Sequence, residues 1–111
     1  MRQKVIQYYT ASNGKTPVLE WLDRIKDIAT QSRIEHRLER ISLGHYGDYK
    51  TIGAGLAELR LDFGPGYRMY FSEQADDIVM FFSAGNKSTQ ARDIAAARAY
   101  LKELKGRVYD A

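Results

Sequence analysis

The sequence predicts an α+β domain in which a helical hairpin packs on one face of a small antiparallel sheet, with element order β-α-α-β-β-β-α. Two changes of period carry this reading. Apolar residues recur every three or four positions between Pro17 and Leu43 and again after Thr89, whereas between Glu58 and Phe71 they alternate. A third observation concerns connectivity. Turn residues punctuate the chain at short intervals, with no repeat, low-complexity run or linker, so the 111 residues read as one domain, 1–111.

Lys4 to Tyr9 is β-branched and aromatic, the pattern of a first strand, and Ala11 to Lys15 is a turn. Thr16 as N-cap and Pro17 at the first helical position open a short helix ending near Lys26, with Val18, Trp21, Leu22 and Ile25 at helical spacing. Trp21 is read as a core residue. Asp27 caps a second helix that runs to about Leu43, where Gly44 suits the C-terminal cap. Its apolar stripe is Ile34, Leu38 and Ile41, beside a basic stripe of Arg33, Arg37 and Arg40. So close a connection predicts an antiparallel helix pair.

Gly44 to Gly55 reads as loop with a short extended piece at Tyr49 to Ile52. Leu59, Leu61 and Phe63 then share one strand face, and Glu58, Arg60 and Asp62 the other. After Gly64-Pro65-Gly66, Tyr67, Met69 and Phe71 point inward, with Arg68 and Tyr70 outward. Asp76-Asp77 marks a hairpin tip. Ile78 to Phe82 is apolar throughout, as in a central strand covered on both sides. Thr89 is the expected cap of a last helix with Ile94, Ala97, Leu101 and Leu104 inward.

The absence of cysteine excludes disulfides, thiolate metal sites and thiol nucleophiles. The longest apolar stretch, Ile78 to Phe82, is far short of the ~20 residues that span a bilayer, and no apolar signal core follows the N-terminus. A soluble, unexported, cytoplasmic protein is expected. Seventeen basic against fourteen acidic residues give a net charge of +3, and eight tyrosines add rings able to stack on bases. Both features lean weakly toward nucleic acid.

The candidate chemistry lies on the alternating strands. A hairpin centred on Pro65 pairs Phe63 with Tyr67, Asp62 with Arg68, and Arg60 with Tyr70. Arg60, Asp62, Arg68 and Tyr70 then meet on one face, and Lys87, just past the next strand, falls near its edge. Two guanidiniums, an ammonium and a phenol suit a phosphodiester, because arginine binds phosphate oxygens in pairs and fixed cations stabilise charge developed in phosphoryl transfer. The same residues also read as an ordinary cross-strand ion pair worth ~0.2–1 kcal/mol, with Arg60 lying over Tyr70. His36 reads as a solvated helix residue. His45, in a glycine-rich loop, offers an imidazole for acid–base chemistry but has no partner visible in the sequence. The two histidines form no recognisable metal set.

The string from Gly53 to Tyr70, Gly-Ala-Gly-Leu-Ala-Glu-Leu-Arg-Leu-Asp-Phe-Gly-Pro-Gly-Tyr-Arg-Met-Tyr, resembles the pattern of the phage-derived addiction module killer branch of the RelE/HigB toxin superfamily. The resemblance continues upstream in Trp21 to Ile25 and Arg33 to Leu38. Downstream it continues in Gly85 to Gln90 and in Asp93-Ile94, covering roughly residues 5 to 101. It implies a RelE-like fold and the toxin of a type II toxin–antitoxin module. That toxin would be a ribosome-dependent mRNA endoribonuclease that inhibits translation and is neutralised by a cognate helix-turn-helix antitoxin. Arg68 matches the arginine of the family's Tyr-Arg strand motif, Arg60 a basic position on the preceding strand, and Lys87 a basic position past the final strand.

The implied reaction is attack of a ribose 2′-hydroxyl on the adjacent phosphate, with no metal and no small-molecule cofactor. Arg60 and Arg68 would hold the phosphate. Lys87 or Tyr70 would take the proton only with a pKa lowered by the cationic cluster, since arginine stays protonated. Better-known relatives place an aromatic residue several positions past the last-strand basic residue; here the next aromatic after Lys87 is Tyr100, in the last helix. Two other functions stay open: a ParE-like inhibitor of DNA gyrase, and a catalytically inert module that only binds its antitoxin. Arg68 is expected at the surface, so that its removal leaves the fold intact.

Overall fold

The computed structural model describes residues 3–75 and 77–110, without the side chains of 108–110. Met1 and Arg2 of the N-terminal reading, and Asp76 of the expected hairpin tip, lie outside the described residues. The protein is α+β. Its elements are β1 (Val5–Tyr8), α1 (Pro17–Arg24), α2 (Ile28–Ser42), β2 (Tyr49–Gly53), β3 (Leu56–Leu61), β4 (Tyr67–Gln74), β5 (Ile78–Asn86) and, after a single 3-10 turn at Lys87–Thr89, α3 (Gln90–Asp110). No helix among the described residues is long and apolar enough to cross a membrane.

Local signals placed most boundaries. Pro17 begins α1. Asp27 caps α2, its carboxylate accepting from the Thr30 N–H at 3.2 Å, and Gly44 takes the left-handed conformation just past the helix at φ +91°. The cap before the last helix differs from expectation. Asn86 accepts from the N–H groups of Ser88 and Thr89, while the Thr89 side chain reaches back to Asn86, closing a reciprocal capping box.

The sheet corrects the sequence reading in three ways. It has five strands in the order β1-β5-β4-β3-β2, because the extended piece at Tyr49 is a full strand paired with β3. The element order is therefore β-α-α-β-β-β-β-α. The sheet is also mixed, since β1 runs parallel to β5 while the other pairs are antiparallel. Everything between β1 and β5 forms the long crossover that a parallel pair requires. Finally, helices cover both faces. Val18 and Trp21 of α1 and Ile34, Leu38 and Ile41 of α2 close on Leu59, Leu61, Met69, Phe71 and Phe81. On the opposite face Ala97 and Leu101 of α3 close on Leu56, Tyr70 and Phe82. The apolar run in β5 feeds both layers, aided by a bulge opposite Tyr70 and Phe71.

Trp21, 8% exposed, is a core residue as expected, its ring edge-on to Tyr67 with centroids 5.6 Å apart. Arg37 of the basic stripe ties α2 to the sheet and loop backbone, donating to the carbonyls of Arg60 in β3 at 2.7 Å and of Tyr46 at 3.0 Å.

Candidate functional site

The β3–β4 connection decides which side chains meet. Five residues, Asp62 to Gly66, form it, with Phe63 N–H on the Leu61 carbonyl and Gly66 N–H on the Phe63 carbonyl. Gly64 and Gly66 supply left-handed backbone at φ +57° and +76°. The strands consequently pair as Leu61 with Tyr67, Arg60 with Arg68, and Glu58 with Tyr70. The register is displaced by two residues from a hairpin centred on Pro65, which keeps the faces and changes the neighbours. Asp62 is not opposite Arg68. It lies exposed in the loop, lining a groove with Arg33 and His36 of α2.

Glu58 takes the centre. It is 1% exposed and accepts from Tyr70 Oη at 3.1 Å, Gln90 Nε2 at 2.6 Å and Arg60 Nε at 3.1 Å. Arg68 Nε stands 3.9 Å from Glu58 Oε1, and its Nη1 donates to the Tyr67 carbonyl at 3.1 Å. Burial pushes the Glu58 pKa up, but hydrogen bonds from Gln90, Arg60 and Tyr70 and the Arg60 charge outweigh it, leaving the group below the usual carboxylate range. Glu58 is ionised at neutral pH.

Arg60, Arg68 and Tyr70 therefore come together as the sequence predicts, but not as a free surface. Tyr70 is fully buried under α3, a correction to its expected outward position. Burial, then the neighbouring Glu58 charge and hydrogen bond, push its pKa up, away from what a proton acceptor needs. Arg68 also departs from expectation, with only 12% of its side chain exposed. Its Nε is buried without a hydrogen-bond partner, a donor left open toward the cluster. Arg60, at 34%, has its terminal nitrogens free of protein hydrogen bonds among the described residues.

Lys87 lies exposed on the 3-10 turn. A Cβ placed on Gly66 would sit 3.5 Å from Lys87 Cβ and 3.7 Å from Arg68 Nη1, so the missing side chain lets the two cationic residues flank the loop closely. His36 and His45 are exposed on α2 and on the turn after it, and neither enters the cluster's hydrogen bonds. Two guanidiniums on one buried carboxylate, with Lys87 across the Gly66 backbone from Arg68, can hold an anion of two or more oxygens, the carboxylate fixing the guanidinium planes.

The residues that sequence reasoning passed over are Glu58 and Gln90. Glu58 had a signal: it is the lone carboxylate inside Leu56–Leu61, two positions from Arg60 on the same face. Gln90 had none, because its contact spans 32 positions in the chain.

Fold and site together define a small α+β protein whose central antiparallel strands present paired arginines on a buried glutamate. No family model matches the chain. An uncharacterized protein of Haemophilus influenzae is 38% identical over 84 residues, which are 76% of this chain and 85% of that relative. The chain belongs to that protein's family.

Proposed function

We propose that the protein is the toxin of a type II toxin–antitoxin module, a RelE-like member of the RelE/HigB superfamily that cleaves mRNA on the ribosome without a metal. The observation that carries this reading is the cross-strand pair Arg60–Arg68, held by buried Glu58 and flanked by Lys87. The sequence resemblance from Gly53 to Tyr70 runs through the same strands. The cognate helix-turn-helix antitoxin would neutralise the toxin by covering this cluster, and the site of action would be the cytoplasm.

In the proposed reaction Arg60 and Arg68 grip the phosphate between two nucleotides. The 2′-oxygen forms a bond to phosphorus while the bond to the leaving 5′-oxygen breaks, giving a 2′,3′-cyclic phosphate and a 5′-hydroxyl. Guanidiniums already fixed by Glu58 stabilise the added charge with little reorganisation. Tyr70 is covered and donates to Glu58, so the 2′-hydroxyl proton passes to Lys87 only in the fraction of molecules whose Lys87 amine is neutral. The leaving oxygen takes a proton back from the resulting ammonium.

A binding-only reading has two observations in its favour: each arginine is partly neutralised by Glu58, and among the described residues the cluster has no exposed aromatic ring. Purified protein added to ribosomes programmed with a defined message, in EDTA-treated buffer supplemented only with the magnesium that ribosomes need, separates the readings. Fragments ending in 2′,3′-cyclic phosphate are expected. Intact message would favour the binding module, or gyrase inhibition if supercoiling by gyrase stops instead.

A further inference from the structure

β1 ends before the strand beside it does. It pairs with β5 only over Ile78–Phe81, and its side closes with Tyr9 N–H on the Phe81 carbonyl at 2.9 Å. From Ser83 to Asn86, β5 continues along β4 with no strand among the described residues on its other side. Residues of α1 and α3 wall that bare edge, leaving a cleft of about 370 Å³ floored by Ser83, Ala84, Gly85 and Asn86.

The Asn86 N–H turns from β4 to Thr89 Oγ1, at 3.0 Å. By the alternation of an antiparallel ladder, the N–H and C=O of Ala84, two residues back, face the same way. Thr89 satisfies Asn86; no other element among the described residues sends a backbone or side-chain hydrogen bond to Ala84. One donor and one acceptor thus stand open on the cleft floor. The walls carry the rings of Trp21 and Tyr100 and the guanidiniums of Arg24 and Arg92. Asp93, the carboxylate in the lining, is engaged by Thr89 and Arg92.

We infer that this cleft is a nucleotide subsite for single-stranded RNA. A base edge pairs with the Ala84 peptide group, the base face lies against Tyr100, and Arg24 and Arg92 hold flanking phosphates. A single open residue suits a base edge and is too short for an added peptide strand, which needs several consecutive ladder bonds. The cleft also adjoins the arginine cluster, because Asn86 at its end immediately precedes Lys87. A strand gripped at Arg60 and Arg68 therefore runs past Lys87 into it.

The inference rests on the RNA-directed reading above, and amide NMR separates the two. The probes are 5′-AMP, a tetraribonucleotide carrying 2-aminopurine, and a glutamate-rich peptide as control. Both nucleotide probes are expected to shift the Ala84 amide, and 2-aminopurine fluorescence is expected to fall on binding. The double variant Arg24→Glu, Arg92→Glu changes exposed side chains only, and should weaken tetranucleotide binding about tenfold. Shifts confined to Arg60 and Arg68 would overturn the cleft and leave the RNA reading standing. Ala84 shifts without mRNA cleavage on ribosomes would support the cleft and sink the nuclease. A response of Ala84 to the peptide alone would overturn the inference in favour of a protein partner.

Discussion

The two faces of the sheet are built from the same strands and do opposite work. Under α1 and α2, Ala57, Leu59, Leu61, Met69 and Phe71 pack into one apolar cluster, and most of this layer has no solvent contact. Under α3 the intervening residues begin the same way, with Leu56, Tyr70 and Phe82 against Ala97 and Leu101. Toward the β3–β4 loop that face turns polar, through Glu58, Arg60, Arg68 and Gln90. The period of two in a strand thus separates stability from chemistry residue by residue. Loss in an apolar layer leaves a cavity, whereas loss of one member of a charged layer leaves its buried partner uncompensated.

That contrast can be broken by two truncations. Phe81→Ala on the α1/α2 face should cost about 4 kcal/mol, the transfer and cavity terms of a fully buried ring, as a shift in urea midpoint. Glu58→Ala on the α3 face should cost about 3 kcal/mol although fewer carbons are lost, because it strands two guanidiniums and the Tyr70 hydroxyl. The signature lies in the double variants. Adding Arg60→Ala should restore part of the Glu58→Ala loss and none of the Phe81→Ala loss. Equal effects in both backgrounds would mean that Glu58 is ordinary packing.

A smaller effect sharpens the picture. Tyr70→Phe keeps the ring and removes one donor to Glu58, so stability should fall by about 1 kcal/mol. Smallest is the response to acid. The folded-state pKa of Glu58 lies below its unfolded value, so its contribution is present above the ordinary carboxylate range and is lost as pH falls through the lower, folded value. Glu58→Gln should flatten that acid limb while leaving stability at neutral pH less affected than Glu58→Ala does.

Much of this molecule is legible from local chemistry. Asp27 and Pro17 mark helix starts, and the alternation from Glu58 onward assigns faces that hold even though the register differs. The register itself was not legible. Gly-Pro-Gly suggests a three-residue turn, yet Asp62 and Phe63 join the connection, and no local rule distinguishes a strand's last residue from a loop's first. The second cover was half legible. A run such as Ile78 to Phe82 implies burial on both sides, but only the packing of α3 shows which polar neighbours, Tyr70 and Glu58, are buried with it. The parallel pairing of β1 with β5 leaves no local trace, because its partners are over seventy residues apart. Within the site, arginines announce themselves by type, while Gln90 is placed by the path of a helix.

The central claim is that the Arg60–Arg68 pair acts on message during translation. It is tested most directly by primer extension on a defined mRNA in a translating bacterial extract, with the wild-type protein beside Arg60→Ala and Arg68→Ala and the folding of each checked by circular dichroism. The account predicts cuts that appear only while ribosomes translate and that vanish in both variants with their folds retained. Cuts that persist in both folded variants, or a message left intact by the wild-type protein, would contradict it.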